Sequence, residues 1–103
     1  MSTQEADYRV VYPVTVRAAL QSYLDALILE GWDKKELATI VDRMDTALKR
    51  NPIQYGEPHY HVRQLGLLIC VGFSRPFSVR YGILEEKRIV FVREITLMRL
   101  DIP

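Results

Sequence analysis

Six side chains in the second half of the chain are of types suited to work on a polyanion: Arg63, Arg75, Arg80 and Arg99, with Tyr60 and His61. Between Arg75 and Met98 the sequence RPFSVRYGILEEKRIVFVREITLM threads arginines through apolar and aromatic residues. A guanidinium presents a planar fork that matches phosphate oxygens. An aromatic ring such as that of Tyr60 stacks on a nucleobase, and an imidazole titrates near neutrality and can relay protons. The same arginines also serve as solvated rim charges of a sheet, so the pattern leaves both readings open. His59 and His61 make a His-x-His pair with no third ligand in view, short of what a zinc site requires. No metal and no cofactor is expected. A single cysteine, Cys70, can form no internal disulfide and reads as a small buried thiol in a reducing compartment.

Charge distribution refines this. The 103 residues carry a net charge of +1, too little for a strong field toward nucleic acid. From His59 to Arg99, seven Arg and Lys (63, 75, 80, 87, 88, 93, 99) face three Glu (85, 86, 94), while acids such as Asp25, Glu30, Asp33, Glu36, Asp42 and Asp45 collect in the first half. A weakly basic sheet against a neutral or acidic helical layer is expected. With 49% hydrophobic and 26% charged residues the composition is that of one globular domain, set at 8–99 between a disordered or extended lead-in at 1–7 and a tail at 100–103. No apolar run approaches the roughly 20 residues that span a bilayer. The start, MSTQEADYRV, lacks the basic and apolar regions of a secretory signal, so a cytoplasmic protein is expected.

These side chains need elements to position them. Tyr8 to Val14 is β-branched and aromatic and predicts a strand. Val16, Leu20, Tyr23, Leu24, Leu27 and Ile28 recur at helical spacing, predicting a helix over 16–30 with Thr15 as N-cap and Gly31 just past its end. Asp33 and Glu36 form a capping-box pattern before the stripe Leu37, Ile40, Val41, Met44 and Leu48, which Asn51-Pro52 ends. Asn51 to His61 reads as loop. Strands follow at 66–73, 77–84 and 88–95, the last two joined by a tight turn at Glu85-Glu86-Lys87. The fold class expected is α+β, with a two-helix hairpin on one face of an antiparallel sheet of about four strands. Alternation puts Val79, Tyr81 and Ile83 in the core and Ser78, Arg80 and Gly82 on the other face. Ile89 to Val92 are all apolar, so an apolar far face at Val90, Val92 or their neighbours is expected, covered by the chain or by a partner.

The order strand-helix-helix-strand-strand-strand, the NPIQYGEP segment, the stretch His61 to Gly66 and the hairpin FSVRYGILEEKRIVFV together resemble the RelE/ParE superfamily of bacterial toxin and plasmid-stabilisation proteins, over about Tyr8 to Met98. The resemblance implies the β-α-α-β-β-β fold, a small antitoxin protein as partner, and one of two targets: messenger RNA in the ribosome, or DNA gyrase. In the RNA-cutting members, basic residues of the open sheet face, with a C-terminal Arg and Tyr, activate a ribose 2′-OH and offset charge on phosphate.

The chain departs from that pattern. Ser78 stands at the arginine position of the motif Phe77 to Tyr81, Ile69 and Val71 stand near the lysine positions, the C-terminal Arg falls near Met98 with Arg99 beside it, and no tyrosine follows Tyr81. A relocated set of Arg80, Arg63, Arg99 and His61, with His59, remains as the catalytic candidate. Arg63, Arg75, Arg80 and Tyr60 are the nucleic-acid-binding candidates. Two functions are therefore expected in competition. One is a toxin-family protein of a toxin-antitoxin system, acting if catalytic as a ribosome-dependent mRNA endoribonuclease. The other is an inert interaction module of the same fold that binds a protein or forms a homodimer.

Overall fold

The computed structural model describes residues 7–98. The lead-in before Asp7, the tail 100–103 and Arg99 lie outside the described residues. In chain order the elements are β1 (Arg9–Val11), α1 (Val14–Leu29), α2 (Lys34–Arg50), α3 (Pro52–Tyr55), β2 (Glu57–Val62), β3 (Leu67–Ser74), β4 (Phe77–Leu84) and β5 (Ile89–Leu97). The class is α+β. The sheet has five strands rather than about four, in the order β1-β5-β4-β3-β2, and it is mixed because β1 runs parallel to β5 while the other neighbours are antiparallel.

The fifth strand comes from the segment read as loop. Asn51-Pro52 does end α2, but Pro52 then opens the short α3, and Gly56 leads into β2. Pro58 is tolerated because β2 is an edge strand that pairs only with β3, with a register shift between Pro58 and Tyr60. The first helix begins at Val14, with Pro13 in the N-cap position in place of Thr15, and Asp33 caps α2 without a side-chain hydrogen bond. Gly31 does sit past α1 at φ 104°, in the left-handed region that glycine adopts without cost.

Packing follows the stripes. Leu37, Met44 and Leu48 of α2 and Val16 and Leu27 of α1 are buried against Cys70, Phe77, Val79, Tyr81, Ile83, Val90, Val92 and Ile95. Val79, Tyr81 and Ile83 thus face the helices and Arg80 faces away, as alternation requires. In β5 the apolar run divides the same way. Val90 and Val92 join the core, while Ile89 and Phe91, opposite Leu84 and Gly82, belong to the helix-free face. The apolar far face therefore lies on the neighbours of Val90 and Val92.

Two hairpins end in the same loop. After Val62 and after Leu84 comes one turn of 3-10 helix, Arg63–Leu65 or Glu85–Lys87, and then one left-handed residue. That residue is Gly66 at φ 65° in the first loop and Arg88 at φ 52° in the second. Arg88 accepts the strained backbone while its guanidinium lies 4.2 Å from the centre of the Tyr8 ring. Tyr8 donates a 2.7 Å hydrogen bond to Glu85 Oε1, and the Arg9 amide donates to the Arg88 carbonyl. The first strand is so latched to the last turn.

Candidate functional site

The helix-free face of the sheet is a grid set by strand register. One row runs Tyr60, Ile69, Gly82, Phe91 and Val11; the next holds Glu57, Val71, Arg80 and Glu94; the next Phe73, Ser78 and Thr96. Phe73 is 58% exposed, Tyr60 54% and Phe91 37%. Ile69, by contrast, is 1% exposed although no helix covers it. Its Cδ1 leans to 3.2 Å from the point a Cβ on Gly82 would occupy, so the missing side chain of Gly82 is the space Ile69 fills. Arg80 forms an ion pair with Glu94 at 3.7 Å, with both side chains more than half exposed. Such a pair contributes little to stability.

The sequence candidates do not converge. Arg80 and Tyr60 share the helix-free face, about 12 Å apart by strand spacing and rise. His61 pairs with Leu68 and so lies on the opposite face from Arg80, and His59 is exposed at the bulge of β2. Arg63 and Arg75 sit in the loops at opposite ends of β3, about 25 Å apart. On the central strands the face presents Ile69, Val71 and Ser78, none of which can neutralise a phosphate. Among the described residues no group of three His, Cys, Asp or Glu side chains could hold a metal ion.

Three features were not visible in the sequence. A groove of about 430 Å³ opens between α1 and α2, lined by Tyr12, Leu20, Leu24, Ala38, Val41 and Met44. A more polar hollow of about 290 Å³ lies beside the Tyr8 latch, between Arg50, Gln54, Glu85 and Arg88. The third is a set of tyrosines under the sheet. Tyr81 donates to the Pro52 carbonyl at 2.5 Å, Tyr55 and Ser74 share a 2.5 Å hydrogen bond, and the Tyr55 and Tyr81 ring centroids are 5.9 Å apart. Tyr12 donates to Asp45 Oδ1 at 2.5 Å. Only Phe91 carried a usable signal, since counting out from the Glu85-Lys87 turn puts it opposite Gly82; the same count puts Arg93 opposite Arg80, and the register shift between Arg80 and Tyr81 brings Glu94 there instead.

Burial raises the pKa of Tyr12, Tyr55 and Tyr81; the Asp45 hydrogen bond adds to the effect at Tyr12. Burial also raises Cys70, which favours the thiol over the reactive thiolate. Each tyrosine is harder to ionise folded than unfolded, so its stabilising contribution is complete below the ordinary tyrosine value of about 10 and is lost as pH rises above it. Urea midpoints are expected to fall steeply above pH about 10, and Tyr12→Phe is expected to flatten that fall. An equally steep fall in the variant would show that Tyr12 is not one of the coupled groups.

Among models of known protein families none matches the chain, and no curated protein matches it. No helix among the described residues is long and apolar enough to cross a membrane.

Proposed function

We propose that this chain is a RelE/ParE-like domain that acts by binding protein rather than by cutting RNA. One observation carries the reading: the centre of the helix-free face is apolar, with Ile69, Val71, Phe73 and Phe91 around a single Arg80–Glu94 pair. Endonuclease chemistry on a phosphodiester needs cations and a proton-relaying group at one point. Here His61 is on the other face and Arg63 and Arg75 are at opposite ends of the strands. A partly exposed apolar face among polar neighbours is instead what protein partners cover.

The toxin reading keeps one supporting observation, the position of Arg80 on the open face. In that reading a small antitoxin would cover the face, and the ribosome with its mRNA, or gyrase, would be the target. The test is incubation of the purified protein with translating ribosomes and a defined mRNA. No cleavage above background is expected, and no change with Arg80→Ala. Ribosome-dependent cleavage that Arg80→Ala abolishes would overturn the binding reading and establish the toxin.

A further inference from the structure

We infer that the partner of the helix-free face is a second copy of this chain, packed sheet to sheet about a two-fold axis. The inference rests on the binding reading above and names its partner. Charge is the first argument. Arg9, Arg80 and Arg93 against Glu57 and Glu94 leave this face near neutral, so it has little attraction for a polyanion or for a strongly charged protein. Arg80 and Glu94 are direct cross-strand neighbours. A two-fold axis that lies between the stacked sheets and runs along the strands, midway between β4 and β5, sets Arg80 of each copy opposite Glu94 of the other. An isologous interface requires this self-complementarity, in which residue i meets j and j meets i.

Shape agrees with charge. The same axis places the exposed Phe91 of one copy opposite Gly82 of the other, against the Ile69 side chain that leans across that glycine. It also brings Ile69 over Val11, an apolar residue of β1 in the same row. Two central strand widths of about 4.8 Å over about 25 Å, and two outer ones over about 10 Å because β1 has 3 residues, give about 340 Å² per copy and about 670 Å² in all, the size of a weak and reversible interface. Addition at a strand edge is the less favourable route, because the edge strand β2 carries Pro58 and a register shift that break the ladder a new strand would need, and the other edge, β1, has only 3 residues.

The test is light scattering after size exclusion on the whole chain and on Arg80→Glu, Glu94→Arg and the double variant. The wild type is expected to approach twice the 12.0 kDa chain mass as its concentration rises. Each single charge reversal places like charges across the axis and is expected to weaken the dimer at least about tenfold. The double variant, and an equimolar mixture of the two singles, are expected to recover the dimer. That recovery also shows that the single variants are folded. A strictly monomeric wild type, or a dimer that neither single reversal weakens, overturns the inference. These outcomes leave the binding reading to its own ribosome assay, while cleavage by a charge-sensitive dimer would overturn that reading and not this one.

Discussion

Gly56→Ala is expected to destabilise the fold by about 2–3 kcal/mol, the range for forcing an added methyl group into close packing. The cause is not backbone conformation. Gly56 has φ −113° and ψ 176°, extended values that alanine adopts freely. A Cβ at this point would lie 2.6 Å from the Tyr81 hydroxyl and 2.7 Å from the Val71 carbonyl oxygen. Moving the carbonyl disturbs β3, and moving the hydroxyl breaks its hydrogen bond to Pro52. For a domain of this size the loss corresponds to a fall in Tm of roughly 10–20 °C, which a thermal melt followed by circular dichroism reads directly. Adding Tyr81→Phe removes one of the two clashes and leaves the carbonyl clash in place. The double variant is therefore expected to lose less than the two single losses combined. A Tm within about 2 °C of wild type for Gly56→Ala would show that the α3–β2 junction is looser than its contacts.

Leu48→Ala is expected to cost about 3 kcal/mol, and Leu29→Ala less than about 0.5 kcal/mol. Both leucines lie near the end of an amphipathic helix. Leu48 is fully buried among the sheet residues, whereas Leu29 is 88% exposed. Chemical unfolding of the two variants separates them, with unchanged denaturant slopes expected in both. Similar losses in the two would mean that Leu29 is covered in solution.

That contrast marks what was legible. The stripe of Leu37, Met44 and Leu48 could be read because a 3.6-residue period records which face is buried. The same period in α1 includes Ile28, which the structure leaves at the exposed end of the helix. Strands at 66–73, 77–84 and 88–95 were legible from alternation and from the Glu85-Lys87 turn. The strand at Glu57–Val62 was not, because Pro58 and Gly56 are loop signals and only the edge position beside β3 makes them compatible with pairing. Nor was the parallel pairing of β1, since partner choice between remote segments leaves no local trace. The candidate site failed to assemble for a related reason. Arg63, Arg75, Arg80 and His61 are near in sequence, but alternation and loop position send them to different faces and ends of the sheet.

The latch between Tyr8 and the Glu85–Arg88 turn has a consequence for how the chain reaches its fold. The Tyr8–Glu85 hydrogen bond spans 77 residues, and among the described residues β1 pairs in the sheet only with β5, the last strand in chain order. During synthesis the helices and the first hairpin emerge with no place for β1 to dock. The sheet completes only once β5 has been made, so its closing step joins remote segments and comes late. Until then the edge of β4 that β5 will pair with and the face of α1 that β5 will cover stay open to water, and a chain stopped before Ile89 is a client for chaperones and proteases rather than a smaller version of the domain.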